Sequence, residues 1–318
     1  MSVSGRVLVP WENVRASLTG VPGLRAEVFS GDDPVPDGDD LSDVVFFTTP
    51  YDQPHGLDPL PLLSGVRVVQ ALTAGYEHLL GALSADVTLC NARGLHDAST
   101  AEHALALILA AQRELPRWTL AQEAGRWDHA HTRSLAGARV LIVGYGSIGA
   151  ALDARLRACE AAVTRVASRP RPEQDVHGVA DLDTLLPLAD VVVLVTPLTP
   201  ETKDLLDSRR LALLPDGALV VNVGRGPVLS TEALLPEVTS GRLRAALDVT
   251  DPEPLPADHP LWRCSSAASP SVIITPHVAG GAAAFYPAAA AFIADQVRRF
   301  AAGDPLANIV AGPGAGHA

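Results

Sequence analysis

The chain is poor in aromatic residues and in cysteine. Of its 318 residues only 4% are Phe, Trp or Tyr, so Ala, Val and Leu must fill any hydrophobic core. Cys90, Cys159 and Cys264 are too few and too widely spaced for a disulfide framework or a zinc cluster. We therefore expect no metal and a reducing, cytoplasmic location.

The chain also lacks concentrated positive charge and long apolar runs. It has 24 Lys and Arg against 36 Asp and Glu, a net charge of −12, and no block of five basic residues, so a nucleic-acid partner is not expected. The N-terminus lacks the apolar segment of a signal peptide. The longest uncharged apolar run, residues 280–294, contains Pro287 and is shorter than a membrane span. No membrane association is expected.

What the chain does contain is enough apolar sequence for two domains. Hydrophobic residues make up 47% and charged residues 19%, a globular composition, and the length exceeds that of one usual core. Two series of short Val, Leu and Ile runs predict two parallel sheets. The first series is Val7–Val9, Ala26–Phe29, Val44–Phe47, Val66–Val69 and Val87–Cys90; the second is Val140–Val143, Val163–Val166, Val191–Val195, Ala218–Asn222, Ala245–Asp248 and Val272–Thr275.

A glycine-rich loop follows the first strand of the second series. The run Val140–Val143 leads directly into Gly144-Tyr-Gly-Ser-Ile-Gly149, and residues 150–157 read as a helix. In this pattern Gly144 makes the tight turn, Gly146 admits a pyrophosphate close to the backbone, and Gly149 lets the helix pack on its strand. The free N–H groups at the helix start attract phosphate. The segment predicts a dinucleotide site.

Charged residues follow three later strands of the same series. Arg225 lies in Asn222-Val-Gly-Arg-Gly226, Asp248 ends the next strand with Glu253 in a proline-flanked loop behind it, and His277 follows the last strand. Ligands of open α/β sheets bind at the carboxyl ends of strands. Each residue alone also has a purely structural explanation: Arg225 could form a surface ion pair, Glu253 could be a solvated loop charge, and His277 could be a histidine packed in the core. As a set beside a dinucleotide loop they predict an active site.

The stretch Ser99-Thr-Ala-Glu102 has the spacing of a capping box, with Ser99 at the helix N-cap. A long helix is expected to follow through residues 104–111. Because these residues are apolar on nearly every side, we expect the helix to be buried between domains or between subunits.

The motifs together resemble the D-isomer-specific 2-hydroxyacid dehydrogenase family over nearly the full length. The resemblance is carried by Leu135-x-Gly-x-x-Val140 with the glycine loop, residues 196–202, Asn222–Gly226, Ala246–Val249 with Glu253-Pro254, and Thr275-Pro-His277. It implies two Rossmann-like or flavodoxin-like α/β domains with doubly wound parallel sheets. Residues 1–98 and 283–318 would form a discontinuous substrate-binding domain, residues 99–282 an inserted NAD(P)-binding domain, and the active site would lie in the cleft between them.

The resemblance also implies a role for each charged residue. Arg225 would hold the substrate carboxylate, His277 would be the general acid/base, and Glu253 would pair with His277. These residue types suit reduction of a 2-keto acid, in which a hydride adds to the carbonyl carbon and a proton to its oxygen. In the loop Thr73-Ala-Gly75 the N–H groups of Ala74 and Gly75 would contact the carboxylate. Asp248 resembles the family's acid near the nicotinamide; a strand-end Asp that simply caps a turn is the alternative.

The expected cofactor site is larger than the glycine loop. Its predicted members are Gly144, Tyr145, Gly146, Ser147, Ile148, Gly149, Ser168, Arg169, Arg171, Thr196, Pro197, Thr202, Val223, Gly224, Asp248, Ala279 and Gly280. Sites that prefer NAD carry an acid at the end of the second strand, to bind the ribose 2′-hydroxyl. Here Ser168, Arg169 and Arg171 stand in that region without an acid, so we predict a preference for NADP(H), with NAD(H) possible; two exposed loop arginines are the alternative.

The formate branch of the family has Asn where His96 stands, so formate is not the expected substrate. Glyoxylate and hydroxypyruvate remain reasonable candidates. Family members resemble one another in dimerising through the long helices of the cofactor domain, and residues 104–111 with Trp118 and Trp127 would do so here. The rival hypothesis is a non-catalytic, dinucleotide-responsive scaffold of the corepressor type. It predicts that substituting His277 changes nothing, whereas a dehydrogenase would lose most turnover.

Overall fold

The structure, a computed structural model, describes residues 4–266 and 269–315. The chain divides into two compact units, Met1–His96 with Ala283–Ala318, and Asp97–Ala282. The boundary after His96 lies two residues before the predicted boundary after residue 98. In the described part of the chain, no helix combines the length and apolar character that a bilayer crossing requires.

The first unit is built on one six-stranded sheet in the order β15-β5-β4-β3-β1-β2. All neighbours are parallel except β15, which pairs antiparallel with β5. The strands are β1 (Gly5–Val9), β2 (Leu24–Val28), β3 (Val44–Thr48), β4 (Val68–Gln70), β5 (Thr88–Cys90) and β15 (Ile309–Ala311). The helices are α1 (Glu12–Ser17), α2 (Glu77–Leu80) and α9 (Phe285–Ala302), with a 3₁₀ turn at Leu60–Leu62.

Apolar side chains cover both faces of this sheet, as the continuous Val and Phe runs predict. On one face Val7, Val9 and Phe46 pack with the buried side of α9, including Ile293 and Val297. Phe47, Val69, Leu79 and Leu89 belong to the core on the other side. The C-terminal helix thus completes a core that the N-terminal strands begin.

The second unit holds a seven-stranded parallel sheet in the order β14-β11-β10-β9-β6-β7-β8. Its strands are β6 (Arg139–Val143), β7 (Ala162–Ala167), β8 (Val176–Gly178), β9 (Val191–Leu194), β10 (Leu219–Asn222), β11 (Arg244–Leu247) and β14 (Val272–Ile274), and the short pair β12 (Ser265–Ser266) and β13 (Ser269–Pro270) stands apart. The strand order reverses between β6 and β9, which is where open α/β sheets bind ligands.

Helices and short 3₁₀ turns connect these strands. The α-helices are α3 (Asp97–Gln112), α4 (Leu115–Glu123), α5 (Ser147–Ala158), α6 (Leu182–Leu185), α7 (Ser208–Leu211) and α8 (Thr231–Thr239), and the 3₁₀ turns are Pro172–Gln174, Val179–Asp181, Leu186–Leu188, Gly226–Val228 and Pro260–Arg263. The prediction of two α/β domains with doubly wound parallel sheets is confirmed.

The predicted start of α3 is wrong. The helix begins at Asp97, so Ser99 lies inside its first turn and cannot be the N-cap. One face of α3, including Ala104 and Ile108, is buried in the core of the second unit with Leu152 of α5. The apolar residues of this helix are therefore explained in good part by packing inside its own unit.

Candidate functional site

The glycine loop lies at the strand reversal of the second sheet. Gly144 has φ +108°, and a Cβ there would lie 2.6 Å from the carbonyl oxygen of Val195, at the end of β9. A Cβ on Gly149 would lie 2.6 Å from the Gly144 oxygen, whereas one on Gly146 would meet nothing within 4 Å. Two glycines are thus required by packing, and the third leaves an open approach.

Two further features fit a dinucleotide at this loop. Helix α5 starts at Ser147 and no side chain caps it, so its first N–H groups point to the open side. The hydroxyl of buried Thr196 has no hydrogen-bond partner among the described residues. A buried polar group of this kind normally finds a partner. The adenine dinucleotide of NAD(P) supplies phosphate and hydroxyl groups of the required chemistry.

The remaining predicted cofactor residues lie on the loops around this reversal. The Thr196 carbonyl oxygen lies 2.8 Å from where a Cβ on Gly224 would stand, so the loops after β9 and β10 are in close contact. The Thr202 hydroxyl donates to the Pro197 oxygen at 2.7 Å and accepts from the Thr199 N–H at 2.7 Å, which closes the turn after β9. Val223, the residue that follows β10 in the chain, is buried.

His277 and Glu253 form the central contact of the site. The imidazole Nδ1 lies 2.5 Å from a Glu253 carboxylate oxygen, and the two side chains are 47% and 39% exposed. A carboxylate accepts hydrogen bonds, so this contact places a proton on Nδ1 and leaves Nε2 as the ring nitrogen not bound by Glu253. Glu253 stands between two cis peptide bonds, Asp251-Pro252 and Glu253-Pro254. The pair has the geometry of an oriented acid/base histidine.

Arg225 follows β10, the neighbour of β11, from which the Glu253 loop continues. Its Nη1 donates to the Gly224 oxygen at 2.8 Å, and the described residues give it no carboxylate partner. A Cβ on Gly226 would overlap the Thr250 carbonyl, so the Arg225 loop lies directly against the chain that leads to Glu253. The structure brings these loops to one edge of the sheet, with no direct contact between Arg225 and the His277–Glu253 pair.

Asp248 is buried, at 2% exposure, and its carboxylate accepts hydrogen bonds from the loop that follows β14. Its oxygens accept from the Thr275 hydroxyl at 2.6 Å and from the N–H groups of Val278 and Ala279 at 3.0 and 2.9 Å. Gly280 comes next in the same loop. These contacts agree with the alternative of a strand-end Asp that caps a turn; the place of Asp248 near the nicotinamide stays a prediction.

The loop after β7 carries the residues predicted for cofactor preference. Ser168 and Arg169 are exposed. Arg171 instead turns to the glycine loop, where its Nη2 donates to the Tyr145 oxygen at 2.6 Å and its guanidinium lies 5.7 Å from the Tyr145 ring. The three residues predicted together therefore have different surroundings.

Tyr145 is held at its side-chain hydroxyl as well as at its carbonyl oxygen. Its hydroxyl donates to Asp153 at 2.9 Å, and Asp153 is buried and pairs with Arg165 at 2.8 Å. Burial and the Asp153 carboxylate raise the pKa of Tyr145, so the hydroxyl stays protonated as a donor. Sequence reasoning missed this support because its members are 8 to 12 positions apart and match no motif.

In the first unit, the loop after β4 presents backbone donors. The Thr73 hydroxyl donates to the Gly75 oxygen at 2.6 Å, the Asn91 amide donates to the Ala74 oxygen at 2.7 Å, and the Ala92 N–H donates to the Thr73 oxygen. The described residues offer no acceptor to the N–H groups of Ala74 and Gly75. The carbonyl oxygens of this loop are thus held by hydrogen bonds, whereas the N–H groups of Ala74 and Gly75 remain available to a ligand.

The fold and the glycine loop define an α/β protein of the dinucleotide-binding class. Residues 105–279 match the family model of the D-isomer specific 2-hydroxyacid dehydrogenase NAD binding domain. This chain belongs to the D-isomer-specific 2-hydroxyacid dehydrogenase family, as the sequence resemblance predicted.

Three similar proteins illustrate the relationship. A D-3-phosphoglycerate dehydrogenase of Archaeoglobus fulgidus is 33% identical over 70% of this chain, which spans only 43% of that protein. A glyoxylate/hydroxypyruvate reductase B of Escherichia fergusonii is 34% identical over 70% of each chain. The crystal structure of a D-isomer specific 2-hydroxyacid dehydrogenase from Xanthobacter autotrophicus Py2, in complex with NADPH and MES, is 32% identical over 98% of each chain with a TM-score of 0.78.

Proposed function

We propose that the protein is an NAD(P)-dependent dehydrogenase that reduces a small 2-keto acid to the D-2-hydroxy acid. The observation that carries this proposal is the 2.5 Å contact between His277 and Glu253 on the same sheet edge as Arg225. The reduced nicotinamide, when bound, supplies the hydride. The residues of this chain bind the acid, orient it and provide the proton.

Each residue has one task in this proposal. The Arg225 fork binds the substrate carboxylate through two parallel hydrogen bonds and turns the keto oxygen toward His277. His277 donates the proton from Nε2 to that oxygen, while Glu253 holds Nδ1–H and stabilises the imidazolium. Ala74 and Gly75, with Thr73 shaping their loop, donate further hydrogen bonds to the carboxylate. The unit with residues 1–96 is then the substrate-binding domain.

A cavity in the first unit favours a small, unphosphorylated substrate. It has a volume of about 460 Å³, lies where β3 and β4 end, and includes Thr73. Asp52 and His78 line it, and the described lining holds no lysine or arginine. A phosphate group normally requires such cations. Glyoxylate and hydroxypyruvate, the substrates in the name of the Escherichia fergusonii relative, fit this chemistry better than a phosphorylated keto acid.

The test is a panel of glyoxylate, hydroxypyruvate, pyruvate and phosphohydroxypyruvate, followed by NADPH and NADH absorbance. We expect turnover of the first two and loss of at least a hundredfold in kcat for His277→Ala, with NADPH affinity retained. The corepressor alternative predicts no turnover of any panel member. Unchanged turnover by His277→Ala would refute the proton-transfer role.

We propose that NADP(H) is preferred over NAD(H), with Arg169 as the main ligand of the 2′-phosphate and Ser168 beside it. Both are exposed at the end of β7, and the described residues place no carboxylate on Arg169. Arg171 contributes by holding the glycine loop. The Xanthobacter protein is a relative whose structure contains NADPH.

Measuring kcat/KM with both cofactors tests this preference. Arg169→Ala is expected to lower kcat/KM for NADPH by roughly tenfold or more and to leave NADH unaffected, since charge-assisted hydrogen bonds contribute about 1.5–3 kcal/mol. Arg263→Ala, an exposed arginine elsewhere in the same unit, is the control. A wild-type preference for NADH would refute the assignment.

We propose that the protein is a homodimer formed through α3, α4 and the chain that follows. Trp127 is 97% exposed, and Leu115 and Leu120 on α4 are 50% and 41% exposed. Large apolar side chains exposed within one short stretch of the chain favour an interface there. Light scattering after size exclusion should give a dimer that Trp127→Ala weakens and Trp262→Ala, a half-exposed tryptophan elsewhere, does not. A wild-type monomer would contradict the proposal.

A further inference from the structure

The loop that carries His277 is anchored on one buried carboxylate. Asp248 accepts from the Thr275 hydroxyl before His277 and from the N–H groups of Val278 and Ala279 after it, all within 3.0 Å. The N–H of His277 itself donates to the Asp248 carbonyl oxygen at 2.7 Å. Four hydrogen bonds of this turn therefore converge on Asp248.

The conformation of His277 needs such an anchor. Its φ is +53°, in the left-handed region that side chains other than glycine rarely occupy. A residue stays in this region only where its surroundings hold it there. The short contact between His277 Nδ1 and Glu253 depends on that backbone conformation, because the imidazole follows the direction of its Cα–Cβ bond.

His103 on α3 contacts both Thr275 and Asp248. Its Nε2 lies 3.0 Å from the Thr275 hydroxyl oxygen and 3.3 Å from an Asp248 carboxylate oxygen, and its side chain is 23% exposed. The Thr275 hydroxyl has one proton, which it donates to Asp248, so its oxygen accepts from His103. Both contacts require the proton of His103 to be on Nε2.

We propose that His103 is a positioning residue for His277, acting through Thr275 and Asp248. It fixes the Thr275 hydroxyl toward Asp248, and the paired carboxylate then holds the left-handed turn that presents the imidazole to Glu253. His103 itself does not touch the substrate. The inference rests on the proposed acid/base role of His277, and it adds a residue on another element to that role.

The test compares His103→Leu with His103→Gln. Glutamine can place a donor near the position of Nε2, whereas leucine fills the space without one. We expect His103→Leu to lower kcat by about tenfold with KM for the keto acid within about twofold, and His103→Gln to restore most of kcat, because a small misplacement of an acid/base group acts on turnover. His177→Leu, at a half-exposed histidine paired with Asp181 in the same unit, should match the wild type.

A second measurement uses the protein without cofactor or substrate. The nitrogen chemical shifts of the His277 ring should report a proton on Nδ1 in the wild type, His103→Gln and His177→Leu, and a mixture of ring tautomers in His103→Leu. Unchanged ring shifts and kcat in His103→Leu would overturn the inference. So would equal losses in the leucine and glutamine variants, which would indicate a packing role. Absence of any keto-acid turnover in the wild type would instead refute the proposed function, and the ring shifts would still decide the role of His103.

Discussion

Two glycines of the same loop should respond oppositely to the same substitution. The first turn of helix α5 lies so close to the loop after β6 that a Cβ on Gly149 would stand 2.6 Å from the Gly144 oxygen, about 0.8 Å inside ordinary contact distance. Backbone on both sides must move to accept Gly149→Ala. Overpacking of this kind costs about 1–3 kcal/mol, so we expect the free energy of unfolding to fall by about 2 kcal/mol.

Gly146→Ala is the matched variant. Gly146 is the N-cap of α5 in an extended conformation, with φ −94°, and its Cβ would meet nothing within 4 Å. Alanine is sterically allowed there, and the lower entropy of its unfolded chain offsets its weaker N-cap preference, so stability should change by less than about 0.5 kcal/mol. The added methyl group would nevertheless occupy the open side of the loop, where the pyrophosphate is proposed to lie. We expect the Kd for NADPH to rise by roughly tenfold or more.

The assays are thermal and urea unfolding without cofactor, and NADPH binding by calorimetry. For a domain of this size, 2 kcal/mol corresponds to a decrease in Tm of about 4–8 °C. Gly149→Ala should show this decrease and Gly146→Ala should not. Wild-type stability in Gly149→Ala would refute the packing argument, and wild-type NADPH affinity in Gly146→Ala would refute the assignment of the loop.

Three further outcomes are expected. Arg225→Lys keeps the charge but loses the two-pronged geometry, so kcat/KM for the keto acid should fall by about 30-fold, or about 2 kcal/mol; steady-state kinetics at equal NADPH measure this, and an unchanged value would contradict carboxylate binding by Arg225. Burial raises the pKa of the Cys90 thiol to about 12, so at pH 8 iodoacetamide should label it later than Cys159 and Cys264 in peptide mass spectrometry; equal rates would show that Cys90 is accessible. Hydrogen bonds from Arg209 and Arg210 lower the pKa of Asp183 to about 2, so the carboxylate stabilises the fold above its unfolded pKa of about 3.9 and loses this effect as the pH falls toward 2. Asp183→Asn should therefore lower Tm at pH 7 more than at pH 3, whereas Asp37→Asn, on an exposed loop, should shift Tm little at either pH.

The sequence was sufficient for the central strands and for the glycine loop. Strands such as β9 and β10 are buried on both faces, and burial on both faces requires continuous apolar residues that are visible in the chain. A strand followed by a tight turn and a closely packed helix likewise requires glycine at Gly144 and Gly149. The strands that were missed, β8, β12, β13 and β15, have two or three residues each and lie at the edge of a sheet or outside the two large sheets, where a run of residues buried on both faces is not required.

The chemical types of the site were also readable, because a carboxylate ligand and a proton donor limit the choice of side chains. Tertiary structure alone decided how they are oriented. It placed His277 in a left-handed turn against Glu253, directed the Asp248 carboxylate into that turn, and set His103 of a distant helix behind it. It also turned Arg171 away from Arg169 and onto the glycine loop. Hydrogen bonds between residues far apart in the chain depend on how elements pack, and local sequence does not encode that packing in any pattern of its own.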